Sequence, residues 1–68
     1  MIYDANSQKL LVKNLPANSL VQVFNSLGSM VAQTSASEEC KISLIPKRAY
    51  YVRIISNNSL HTHKIVTF

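Results

Sequence analysis

The stretch Leu44-Ile45-Pro46-Lys47-Arg48-Ala49-Tyr50-Tyr51-Val52-Arg53-Ile54-Ile55 decides the fold of this chain. A turn built on Pro46, with two cations beside it, leads straight into seven residues rich in β-branched and aromatic types. Such side chains fit a pleated, half-buried surface. Side chains alternate along a strand, so Tyr50, Val52 and Ile54 share one face while Tyr51, Arg53 and Ile55 share the other. The first set is a core face. The second mixes polar and apolar groups, as a surface partly open to water does.

Shorter alternating runs flank it. Lys9 to Lys13 reads as a strand, followed by a loop over Asn14 to Ser19, where Pro16 can donate no ladder hydrogen bond. Leu20 to Asn25 is a strand with Val21 and Val23 on one face and Leu20, Gln22 and Phe24 on the other. Gly28, the only glycine, sits where a hairpin most needs a positive φ. Ser29 to Gln33 returns as its partner, with Val31 expected in the core. Thr34 to Glu39 is polar and is expected to be a loop. Cys40 to Leu44 alternates again, placing Cys40, Ile42 and Leu44 inward. Asn57 and Asn58 make a tight turn, and Leu60 to Phe68 forms the closing strand. The first residues, Met1 to Asp4, read as a short strand or a frayed end, and Asp4 to Ser7 as a turn.

No stretch repeats at helical spacing. Six or seven short strands at intervals of about 8–12 residues fit a single all-β domain, a small antiparallel sandwich or barrel over residues 1–68. With 68 residues, such a domain buries only about 60% of its unfolded surface, which leaves little room for a catalytic cleft beside a core.

Charge and chemistry narrow the functional classes. Seven Lys and Arg against three acids give a net charge of +4. The bases are scattered, and only Lys47 and Arg48 are adjacent, whereas a nucleic-acid footprint needs a stripe with aromatics among the bases. A nucleic-acid partner is therefore the weaker expectation. Tyr3, Phe24, Tyr50, Tyr51 and Phe68 read as core or cross-strand packing before they read as stacking platforms. One cysteine, Cys40, excludes an internal disulfide, and its phase with Ile42 and Leu44 makes it an inert core residue rather than a nucleophile. His61 and His63 share a strand face, a spacing found in some zinc sites. A site needs three or four ligands, and only Asp4, Glu38, Glu39 and Cys40 could complete it. Exposed histidines on an edge or outer face are the plainer reading. No glycine-rich phosphate loop and no nucleophile elbow is present. The residues thus point to no catalytic site, no metal and no cofactor. No run approaches the roughly 20 apolar residues of a membrane helix, so no membrane insertion is expected. Met1 to Leu11 lacks the basic start and apolar run of a signal peptide.

Three segments carry a resemblance to a known family. The run VQVFNSLGSMV, then CKISLIPKRAYYVRII, then a closing THKIV resembles the C-terminal sorting domain of Bacteroidetes type IX secretion cargo proteins. Val21, Val23, Phe24, Asn25, Gly28 and Val31 match the family's hairpin. Ile42, Leu44, Tyr50, Val52 and Ile54 match its second segment, and Lys64, Ile65 and Val66 match its last strand. Arg48 stands where the family has a glycine, a position at which positive φ is expected. The family's proline-rich opening segment has no counterpart in Met1 to Gln8.

The resemblance implies an Ig-like β-sandwich that acts as an address, recognised by an outer-membrane secretion protein without catalysing anything. The chain would then be the C-terminal module of a longer precursor, delivered through the periplasm to the cell surface or medium. A chain truly starting at Met1 would instead be cytoplasmic. Lys47, Arg48 and Lys64 are the bases we expect at the recognition surface. The alternatives are a small basic domain that binds nucleic acid, or an autonomous structural or adhesion-type domain that makes a homodimer through its edge strands.

Overall fold

A computed structural model describes all 68 residues. Five strands follow one another: β1 (Ile2–Asp4), β2 (Lys9–Asn25), β3 (Met30–Ser43), β4 (Ala49–Ser56) and β5 (Ser59–Val66). All pairings are antiparallel and belong to one sheet, which curls into a half-barrel. No helix is long and apolar enough to cross a membrane. β2 is the hub: one of its sides carries β3, and the other carries β1 along its first half and β4 along its second. β5 pairs only with β4.

The all-β expectation holds, but five strands replace the six or seven short ones expected. The difference lies in the two polar stretches read as loops. Asn14 to Ser19 stays within the 17-residue β2, and Thr34 to Glu39 stays within the 14-residue β3. The two stretches face each other through Leu15↔Glu38 and Ser19↔Ala36, so their polar residues remain in the ladder. The pairing is irregular there. β2 takes seven residue steps from Val12 to Ser19 while β3 takes four from Cys40 to Ala36. The extra residues are bulges, which bend a strand and increase its twist. Asn14 and Asn18, at φ 60 and 61, and Glu38, at φ 70, supply the left-handed turns that the bend needs. Asn adopts that region at low cost.

The first bulge also changes which residues face inward. Leu10 and Val12 are buried before it, and Leu15, Ser19, Val21 and Val23 after it, so the inward positions switch from even to odd numbers. The core gathers Tyr3, Leu10, Val12, Leu15, Val21, Val23, Ile42, Leu44, Tyr50 and Val52, with Ala32, Cys40, Ile54 and Ile65 packed against it. Val31 is a correction to the expected core: it is about half exposed, and Ala32 takes the inward place. The register is the reason: Ala32 stands opposite the buried Val23, so Val31, its neighbour, falls on the other face.

The turns obey local chemistry. Asp4 accepts from Asn6 N and Ser7 Oγ, each at 3.0 Å. Asn25 Oδ1 accepts from Leu27 N and Ser29 N, also at 3.0 Å each, and so braces the turn in which Gly28 has φ 84. Asn57 opens the β4–β5 hairpin at φ 49. In the Pro46 turn the positive φ falls on Lys47, at 59, and not on Arg48.

Nothing lies within 4 Å of where a Cβ at Gly28 would stand, so a side chain there meets backbone strain and no clash. We expect Gly28→Val to cost about 1–2 kcal/mol, the penalty of a left-handed L-residue. Thermal melting should show a midpoint lower by roughly 7–14 °C, and Gly28→Asn should lose less. An unchanged Gly28→Val midpoint would mean that the turn does not depend on the glycine.

Candidate functional site

The three bases singled out from the sequence all lie on the β4–β5 side of the molecule. Lys47 and Arg48 are exposed on the turn before β4, and Lys64 is exposed on β5 opposite Tyr51. What links them is Thr67, which follows β5. Its Oγ1 donates to the Ile45 carbonyl at 2.7 Å and accepts from Arg48 N at 3.0 Å, while its backbone N donates to the Arg48 carbonyl at 2.9 Å. Thr67 itself is only 2% exposed, while its partners Ile45 and Arg48 stand at the surface, so the clasp is partly buried. Tyr50 adds a second brace, its hydroxyl accepting from Ile45 N at 3.2 Å. The Pro46 turn is thereby held to the end of the chain's last strand, and the cations it carries are held with it. No signal in the sequence marks Thr67, because its partners lie about twenty residues away along the chain.

Beside this edge lies the largest apolar hollow, a cavity of about 570 Å³. One bank is β1 and the start of β2, including Tyr3 and Lys13. The other is β5, with four consecutive residues, His63 to Val66, at its border. Successive side chains point to opposite faces, so a run of four can border one hollow only where the edge of the strand faces it. The hollow is therefore the seam where the curled sheet stays open between β1 and β5. Tyr3 and Phe68 cross it at one point, with ring centroids 5.7 Å apart in an edge-to-face arrangement. Its lining includes the bases Lys13, His63 and Lys64 and no acid.

His61 and His63 are exposed on an edge strand as expected, yet they pair across from Ile54 and Val52 and so share the inward side. No three His, Cys, Asp or Glu side chains come together in a ligand cluster. The aromatic residues divide between the two faces. Tyr3 and Tyr50 are in the core, and Phe24 and Tyr51 are neighbours on the convex side. On that convex side Arg53 Nε donates to Gln22 Oε1 at 2.9 Å, and Gln22 Nε2 donates to Gln33 Oε1 at 2.9 Å. The guanidinium lies 4.8 Å above the Phe24 ring, a cation–π contact. Arg53 is thus engaged in bracing three strands.

Cys40 packs against the core, partly buried, and that burial pushes its thiol above the ordinary range. The folded chain holds this proton to higher pH than the unfolded one. Its contribution to stability is full below the ordinary thiol pKa and falls as pH rises beyond it.

No family model, curated protein or solved structure matches the chain.

Thr67→Val keeps the shape of the side chain and removes its hydroxyl. We expect a loss of about 1–2 kcal/mol, because the Ile45 carbonyl and Arg48 amide lose their partly buried hydrogen bonds to the hydroxyl. Chemical denaturation measures it, and an unaltered transition would mean the clasp carries no weight. At mildly alkaline pH, iodoacetamide should alkylate Cys40 several-fold more slowly than a free cysteine, and urea should abolish the difference.

Proposed function

We propose that this chain is a non-catalytic addressing module. In this reading it is a sorting β-domain of the type IX kind, or a related Ig-like β-domain, recognised by secretion machinery through protein–protein contacts. What supports the reading is that the residues carrying the resemblance fall on one hydrogen-bonded unit. The hairpin motif spans β2, the Gly28 turn and β3. The second motif runs from the end of β3 through the Pro46 turn into β4, and Lys64 to Val66 lie on β5 against β4. The turn bearing Lys47 and Arg48 is tied by Thr67 to the end of β5, the strand that carries Lys64. Exposed cations on a tied-down turn and on the edge strand beside it suit recognition by another protein.

A sandwich of six or seven strands, which the spacing of the alternating runs suggests, needs at least one strand more than the five present. The localisation that accompanies the reading is the cell surface or the medium, reached through the periplasm by a longer precursor.

Fusing residues 1–68 to the C-terminus of a periplasm-directed reporter, in a bacterium with type IX secretion, tests the proposal. Appearance of the reporter at the cell surface or in the medium is the expected result, reduced when Lys47, Arg48 and Lys64 are all replaced by Glu. Retention of the unaltered fusion inside the cell overturns it.

A further inference from the structure

We propose that the seam between β1 and β5 accepts an extended strand from a partner protein, apolar at alternate positions and bearing a carboxylate, paired to the free edge of β5. The inference rests on the protein-recognition reading above and names the partner's chemistry. Three observations carry it. β1 pairs only with β2, and β5 only with β4, so each presents an unpaired backbone side. The hollow between them is bordered by the β5 edge from His63 to Val66, and eight of its eleven lining residues are apolar. Its charged lining is wholly basic, Lys13 and Lys64 with His63 beside them.

An added strand would satisfy each feature separately. Its backbone would pair with β5, its alternate apolar side chains would cover the Ile54 and Ile65 side, and its carboxylate would meet the lysines. A fatty acid fits less well. Leu10 and Val12, at the floor, are 0% and 2% exposed, so there is no deep apolar hole for a hydrocarbon tail. A second copy of this chain fits less well too. Its acids are Asp4, already bonded within its own turn, and Glu38 and Glu39, on a stretch kinked at φ 70.

The probe is a short end-capped peptide in which Val and Thr alternate around a central Glu, titrated at low salt into the isotope-labelled chain. We expect saturable amide shifts confined to β1, the start of β2 and His63 to Val66. A peptide with Lys in place of the Glu should bind about tenfold more weakly, through like-charge repulsion at the rim. The Lys13→Glu, Lys64→Glu double variant should lose as much for the original peptide. Lys9→Glu, outside the seam, should lose nothing, and melting curves confirm that each variant folds. Shifts along β3, equal affinity for both peptides, or no saturable binding would each overturn the proposal. So would self-association that occupies the seam without peptide, or decanoate producing the same shifts more strongly than the peptide does. Peptide binding without reporter export upholds the seam and overturns the addressing role. Export without peptide binding does the reverse.

Discussion

The constraint on which the structure depends is the bend in β2. Ser43 pairs with Lys9 at one end of that strand, and seven residues later Tyr50 pairs with Asn25 at the other. Seven steps of chain reach at most about 25 Å. A straight strand from Lys9 to Asn25 would be about 53 Å long, and the whole molecule is only 32 Å in its longest dimension. β4 can join the sheet only if the two ends of β2 are brought near each other. The bulges between Val12 and Ser19 do this, so they determine the curl, the enclosed core and the open seam together.

The same bend explains what could be read from the sequence and what could not. Strand faces follow side-chain alternation, a local property. Val21, Val23, Ile42, Tyr50 and Val52 were therefore legible, as was the need for Gly28 at its turn. A bulge and a loop are written in the same letters, because both need left-handed residues and tolerate a missing donor. Asn14, Pro16 and Asn18 meet those needs in either case, and only the presence of β3 opposite them keeps the ladder going. Alternation also leaves open which of a strand's two faces turns inward. Val31 faces outward because β3 meets β2 with Ala32 opposite the buried Val23, a pairing that the letters of β3 do not carry.

The candidate surface was legible only in part. Lys47, Arg48 and Lys64 were distinguishable as charges, but the tie that holds their elements in place is a hydroxyl reaching back from Thr67 to Ile45 and Arg48. The seam was wholly invisible in the sequence, since it belongs to two strand edges at opposite ends of the chain. Composition could suggest that a 68-residue domain would have difficulty covering its core. It could not say where the cover would be incomplete.

The order of strands along β2 bears on how the chain reaches this state. The β2–β3 and β4–β5 hairpins each zip from a tight turn, at Gly28 and at Asn57, and need no distant encounter. Pairing Leu20 with Ile55 is different, because it closes a long stretch of chain before any contact repays the lost entropy. Once the bent first hairpin exists, that stretch shrinks to the short Pro46 connection. The bulges therefore act in time as well as in space: they shorten the search that docks the second hairpin on the first, and slowing them should slow folding as a whole.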